Sequence, residues 1–209
     1  MIRRKTNISD HPEKRTPEED FDYFVRNPLE WLNNGVTLHK AAMHLFGQYR
    51  EAYESLGTLD GAPMDEAAFA FVDADLFKPA GMLAGYALEV TIKAAIVAKY
   101  ASRITFDTKP RKWWNLKKKT SGHDLVHLVR EAGLDGVDED FLSKLTQFSV
   151  WKGRYPSSLE GKPMYGTQSE LEHYAGSHWL VLVDQFDQAF STIYDQSKAV
   201  IKECRYMPD

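Results

Sequence analysis

The stretch from Gly81 to Tyr100 constrains the fold more than any other part of the sequence, because it is apolar on nearly every side. Only Glu89, Lys93 and Lys99 carry charge within it. A helix with this pattern has to be buried over most of its surface. We therefore expect it to form the central helix of the fold, with other helices packed around it.

The first part of the chain predicts several helix boundaries. Residues 1–16 are polar with mixed charge and predict a disordered tail. Thr16 followed by Pro17 is typical of a helix start. Gly35 is expected to end the next helical pattern, and Thr37 to begin an amphipathic helix that stops at Gly57.

The rest of the chain continues in the same way. Pro79 predicts a break or kink before the central helix. A helix is expected to follow His123 and end at Gly133, and Asp138 to cap another. A long final helix is expected to start from a capping box at Thr167. The sequence thus predicts an all-α protein: an antiparallel up-and-down helical bundle of about five or six helices, forming one domain over 17–209.

The composition and net charge of the chain exclude some classes of function. The chain has 209 residues and a net charge of −4, so it is not built as a whole to coat nucleic acid or an anionic membrane. Cys204 is the single cysteine, which excludes an intrachain disulfide and suits a reducing compartment. Neither a secretory signal nor a membrane span is evident. We expect a cytoplasmic protein that does not associate with membranes.

One segment differs in charge from the rest. Residues 103–120 hold seven Lys or Arg and one acid, a local charge of +6, so the remainder carries −10. The cations include Arg111 and Lys112, and they flank Trp113 and Trp114. Cations can neutralise phosphates while tryptophans stack on unpaired bases. The alternative is a solvated loop whose tryptophans fold back onto the bundle.

Several common enzyme signatures are absent. The sequence has no phosphate-binding GxxxxGK[ST], no GxGxxG after a strand, no GxSxG and no HExxH. His123 and His127 are four residues apart, a spacing that can supply two metal ligands, but no third ligand is evident nearby. We therefore predict no metal and no cofactor.

Two further groups of residues are candidates for binding. Glu89 and Lys93, four apart on the central helix, can form an ion pair. The pair either stabilises the bundle or faces a polar cleft and contacts a ligand. Arg154 and Tyr155 precede a proline at the end of a helical pattern, where an arginine either caps the helix or binds a phosphate bidentately.

Three segments in this order, GYALEVTIKAAI, HDLVHLVREAGL and WKGRYP, resemble the HEPN superfamily (higher eukaryotes and prokaryotes nucleotide-binding domains) over about residues 37–200. The resemblance implies a helical bundle that usually dimerises. It also implies, for many members, a metal-independent ribonuclease of a toxin–antitoxin, phage-defence or RNA-processing system. In the family's usual motif an arginine binds the scissile phosphate, and a histidine a few residues later moves protons.

The match to that motif is partial. Arg154 occupies the arginine position, but RYPSSLEGKP has no histidine at the family's distance, and His173 comes nineteen residues later. His123 is the candidate substitute as acid–base, because imidazole suits proton transfer near neutral pH.

Three hypotheses follow. In the first, the chain is a homodimer that acts on RNA and is inhibited by an antitoxin or another partner protein. Glu89, Lys93 and Asp124 support its site, and the basic segment guides the RNA backbone. In the second, the same residues bind a nucleotide, RNA or a partner protein without catalysis. In the third, the charged residues serve the fold alone.

Overall fold

A computed structural model describes residues 15–57, 66–101, 122–147, 149 and 179–204. In these parts of the chain six helices form and no strand is present, which confirms the prediction of an all-α bundle. The helices are α1 (Pro17–Phe24), α2 (Pro28–Gly57), α3 (Glu66–Tyr100), α4 (Leu125–Ala132), α5 (Glu139–Gln147) and α6 (Trp179–Glu203).

Local capping explains where several helices begin and end. Thr16 and Glu19 form a reciprocal capping box, because the Thr16 amide donates to the Glu19 carboxylate at 2.7 Å and Thr16 Oγ1 accepts from the Glu19 amide. Gly133 ends α4 in the left-handed conformation at φ 62°. The amide of Phe141 donates to Asp138 Oδ1 at the start of α5. The predicted caps at Thr16, Gly133 and Asp138 are therefore confirmed.

The predicted boundary at Gly35 and Thr37 is wrong, because α2 continues through both residues. Gly35 faces α3, and a Cβ atom on it would lie 2.0 Å from Thr91 Oγ1. Thr37 does not cap a helix, since its hydroxyl donates to the Asn33 carbonyl one turn earlier. The glycine allows two helices to approach closely and does not end one.

Pro79 was expected to break or kink the chain before the central helix; it lies inside α3, so the helix is not broken there. A proline within a helix removes one main-chain hydrogen bond and costs about 3 kcal/mol or more. The surrounding residues offset that cost through packing, since Phe77, Ala80 and Ala84 are all buried. Tertiary burial therefore overrides the local preference at this position.

Helix α3 is the centre of the bundle, as its sequence predicts. The part from Pro79 to Tyr100 is long and apolar enough to cross a membrane by composition alone, but 72% of its most apolar window is buried inside the protein. Its buried side chains contact α2, α4, α5 and α6. Burial by neighbouring helices accounts for the apolar pattern.

The directions of the helices follow from which ends meet. Gly35 in the first half of α2 lies against Thr91 late in α3, while Phe46 packs on Phe77 early in α3, so these two helices are antiparallel. Helix α6 runs antiparallel to α2, since Phe186 contacts Phe46 and Ile201 lies in one cluster with Leu32.

Helices α4 and α5 form a second antiparallel pair beside α3. Arg130 near the end of α4 binds Glu139 at the start of α5, and the Leu125 amide donates to Thr146 Oγ1 near the end of α5. Helix α4 runs in the direction of α3, because its start lies near Lys93 and its last carbonyl accepts from Lys99. This arrangement brings the residue before α4 against the middle of α3.

Candidate active site at the start of helix α4

The candidate site is organised around the carboxylate of Glu89, which lies in the middle of α3. Its side chain is 6% exposed, and the residues around it on α3 are mostly apolar. A carboxylate in such a place requires partners, because an unpaired buried charge is very costly. Glu89 has two of them, one for each oxygen.

Lys93 is the first partner, one helical turn further along α3. Its Nζ lies 2.5 Å from Glu89 Oε1, and its side chain is 11% exposed. The same ammonium donates to the main-chain carbonyl of Gly122 at 2.7 Å. The pairing predicted from the four-residue spacing is confirmed, and the bond to Gly122 extends it to the segment before α4.

His123 is the second partner. Its Nδ1 lies 2.9 Å from Glu89 Oε2. An ionised carboxylate can only accept a hydrogen bond, so the ring donates its Nδ1 hydrogen and the neutral imidazole has Nε2 unprotonated. The His123 side chain is 45% exposed. Only Nδ1 takes part in the contact with the buried carboxylate, and part of the imidazole is exposed to solvent.

The local chain geometry explains why His123 occupies this position. Asp124 is the N-cap of α4, and its Oδ1 accepts from the His127 amide at 3.1 Å. The next amide, that of Leu125, donates to Thr146 Oγ1 of α5. The start of α4 is thereby fixed by α5 and by its own cap, and His123 directly precedes it.

The other predicted site residues fall into two groups. The Asp124 carboxylate is engaged in capping, and any contact that it makes with a ligand stays a prediction. The remaining candidates lie outside the described residues, so their position relative to His123 also stays a prediction: Arg154, Tyr155, Arg111, Lys112, Trp113 and Trp114.

Metal binding has no support among the residues that the structure describes. No group of three or more His, Cys, Asp or Glu side chains there could hold a metal ion. The two histidines that stand four residues apart have different surroundings: the ring of His123 binds Glu89, whereas Nε2 of His127 is buried and has no hydrogen-bond partner among the described residues.

A second ion pair lies at the other end of α4. Arg130 and Glu139 meet at 2.6 Å with side chains 65% and 57% exposed. The hydrogen bond and the charge of Glu139 raise the pKa of Arg130. This exposed pair joins α4 to α5 and offers a comparison for the buried pair at Glu89.

Another histidine–carboxylate contact was not predicted from the sequence. His39 Nε2 of α2 lies 2.8 Å from Asp187 Oδ1 of α6, and the imidazole stacks on Phe190 with centroids 4.0 Å apart. The contact joins residues 148 positions apart, so no local pattern could have indicated it. The stacked ring makes it part of the packing between α2 and α6.

Comparison with protein-family models, with curated proteins and with solved structures finds no match to this chain.

Proposed function

We propose that this chain is a HEPN-like RNA-acting protein that cleaves RNA without a metal ion, with His123 as the acid–base group. The observation that carries the proposal is the contact between His123 Nδ1 and the buried Glu89 carboxylate, which engages one ring nitrogen of a side chain that is 45% exposed. A histidine oriented by a carboxylate in this manner is suited to proton transfer.

The proposed reaction uses the 2′-hydroxyl of RNA as nucleophile. His123 Nε2 accepts the hydroxyl proton while the 2′-oxygen attacks the adjacent phosphorus. The bond from phosphorus to the 5′-oxygen breaks, and that oxygen takes a proton from solvent, to which His123 afterwards releases the proton that it accepted. The products are a 2′,3′-cyclic phosphate and a 5′-hydroxyl end, so the reaction consumes no water in this step.

The other residues of the proposal have supporting roles. Arg154 would bind the scissile phosphate through two parallel hydrogen bonds, for which a guanidinium is suited. The basic segment 103–119 would guide the RNA backbone. The family resemblance also leads us to predict that the chain forms a homodimer. It leads us to predict, in addition, that an antitoxin or another partner protein controls the activity.

The test is incubation of the purified protein with total RNA in the presence of a metal chelator. We expect the parent to cleave, and His123→Ala and Arg154→Ala to lose at least about 10²-fold in rate. His44→Ala is the matched control, because His44 is an exposed histidine on α2 and should cleave like the parent. Mapping of the ends should find cyclic phosphates.

The outcomes separate the hypotheses. Cleavage by His123→Ala at the parent rate would exclude the proposed acid–base role. RNA or nucleotide binding without turnover, seen as an increase in melting temperature on addition of ligand, would instead support a non-catalytic binding module. Neither binding nor cleavage would favour a purely structural role for the cluster.

A further inference from the structure

Lys93 makes a contact that an ion pair alone does not require. Its ammonium binds Glu89 Oε1 and also the carbonyl of Gly122, the residue directly before His123. Glu89 in turn binds the His123 ring through its other oxygen. Two hydrogen bonds thus join α3 to two consecutive residues, one through the main chain of Gly122 and one through the imidazole of His123, and the bond between Lys93 and Glu89 links them.

We propose that Lys93 is a positioning residue for His123 and not a contact for RNA. This inference rests on the proposed function. Within that function it gives Lys93 a role different from that of a lysine that binds phosphate. The side chain is largely buried, and its ammonium is engaged within the protein. Lys93 fixes the main chain before His123 while Glu89 fixes the ring, and the two attachments together set the direction of Nε2.

Charge supports the same assignment. Lys93 and Glu89 carry opposite charges, so together with a neutral imidazole the cluster has no net charge. Lys93 balances the buried carboxylate and allows Glu89 to remain an acceptor for the Nδ1 hydrogen. Without Lys93, Glu89 would be a buried anion with a single partner, and the Gly122 carbonyl would lose its donor.

The test measures the tautomer of His123 directly, independently of activity. In ¹⁵N-labelled protein, at a pH where the ring is neutral, two-bond ¹H–¹⁵N correlations distinguish the protonated from the unprotonated ring nitrogen. We expect the parent to carry its hydrogen on Nδ1. In Lys93→Met the His123 signals should move toward a mixture of the two tautomers.

Lys99→Met is the matched control. Lys99 also extends from α3 to a main-chain carbonyl of the α4 region, that of Ala132, but at the opposite end of α4. The variant removes the same kind of bond away from the site, so its His123 signals should match those of the parent. Unchanged signals in Lys93→Met would overturn the proposal.

A second variant covers the case in which Lys93→Met does not fold. Lys93→Gln retains a polar donor, but its side chain is one bond shorter and uncharged, so we expect it to lose the ion pair with Glu89. The same criterion applies to this variant. Movement of the His123 signals toward a mixture of the two tautomers supports the proposal, and signals identical to those of the parent overturn it.

Cleavage kinetics then separate positioning from RNA binding. We expect kcat of the folded variant to fall by about 10²-fold, as for a misplaced catalytic group, with KM nearly unchanged. A rise in KM with kcat preserved would mean that Lys93 binds RNA and would overturn the assignment. If the parent itself does not cleave RNA, the proposed function fails, while the tautomer still decides whether Lys93 positions His123.

Discussion

At the scale of single residues, burial determines how much each ion pair in this protein contributes to stability. The Glu89 and Lys93 side chains are 6% and 11% exposed, whereas those of Arg130 and Glu139 are 65% and 57% exposed. Exposed pairs contribute little because water and salt screen them and long side chains lose freedom. In a buried pair, by contrast, removing one partner leaves an uncompensated charge.

We therefore predict that Glu89→Ala lowers the free energy of unfolding by about 3–5 kcal/mol. The variant removes the carboxylate that pairs with the Lys93 ammonium and accepts the hydrogen bond from the His123 ring. Urea unfolding followed by circular dichroism measures the change. Glu139→Ala, which removes the carboxylate of the exposed pair, should unfold nearly as the parent does. Equal midpoints for the two variants would contradict the argument.

At the scale of helices, glycine and proline were the least predictable residues because their effect depends on the neighbouring helix. A glycine after a periodic run often ends a helix, and Gly133 does so here. Gly35 has the same local sequence character but lies in the contact between α2 and α3. Whether a glycine ends a helix or faces a partner is decided by residues far along the chain.

Gly35 and Gly47, both in the interior of α2, allow a direct test. In Gly35→Ala the new Cβ would lie 2.0 Å from Thr91 Oγ1 and 3.3 Å from the Ala87 carbonyl. Since α2 and α3 would have to separate, we expect a loss of about 1–3 kcal/mol in the free energy of unfolding. At Gly47 a Cβ meets nothing within 4 Å, so Gly47→Ala should gain about 0.5–1 kcal/mol from helix propensity. Thermal unfolding of both variants gives the comparison, and a neutral Gly35→Ala would refute the close contact.

At the scale of the whole molecule, contacts between residues close in sequence could be predicted, whereas contacts between residues far apart in sequence could not. The central helix and the pair at Glu89 and Lys93 follow from patterns within a few residues. The contact between Glu89 and His123 joins positions 34 apart. The sequence indicated His123 only as a candidate acid–base group and did not indicate its contact with Glu89. Long-range contacts depend on how the helices pack, and no periodicity encodes their partners.

A long-range link of the α4–α5 pair, between positions 61 apart, is made at the turn between these helices. Gln196 of α6 pairs with the main chain of Asp135, since its Oε1 accepts from the Asp135 amide at 3.0 Å and its Nε2 donates to the carbonyl at 2.9 Å. The other end of the pair is attached to α3 through Gly122 and His123. The α4–α5 pair is therefore held to the rest of the bundle at both ends.

Gln196→Ala should loosen one end of this pair and leave the other intact. Loss of the two hydrogen bonds to the main chain, of about 0.5–1.5 kcal/mol each, and of a longer one to the Asp135 carboxylate predicts a modest drop in stability, because the contact is exposed and water replaces part of it. Amide hydrogen exchange should become faster at residues 134–138, where local opening is easier, while the ring signals of His123 stay unchanged. Gln188→Ala is the control, since Gln188 is also exposed on α6. If His123 responds as strongly as Asp135, the two ends are coupled, and the candidate site depends on the docking of α6 as well as on α3.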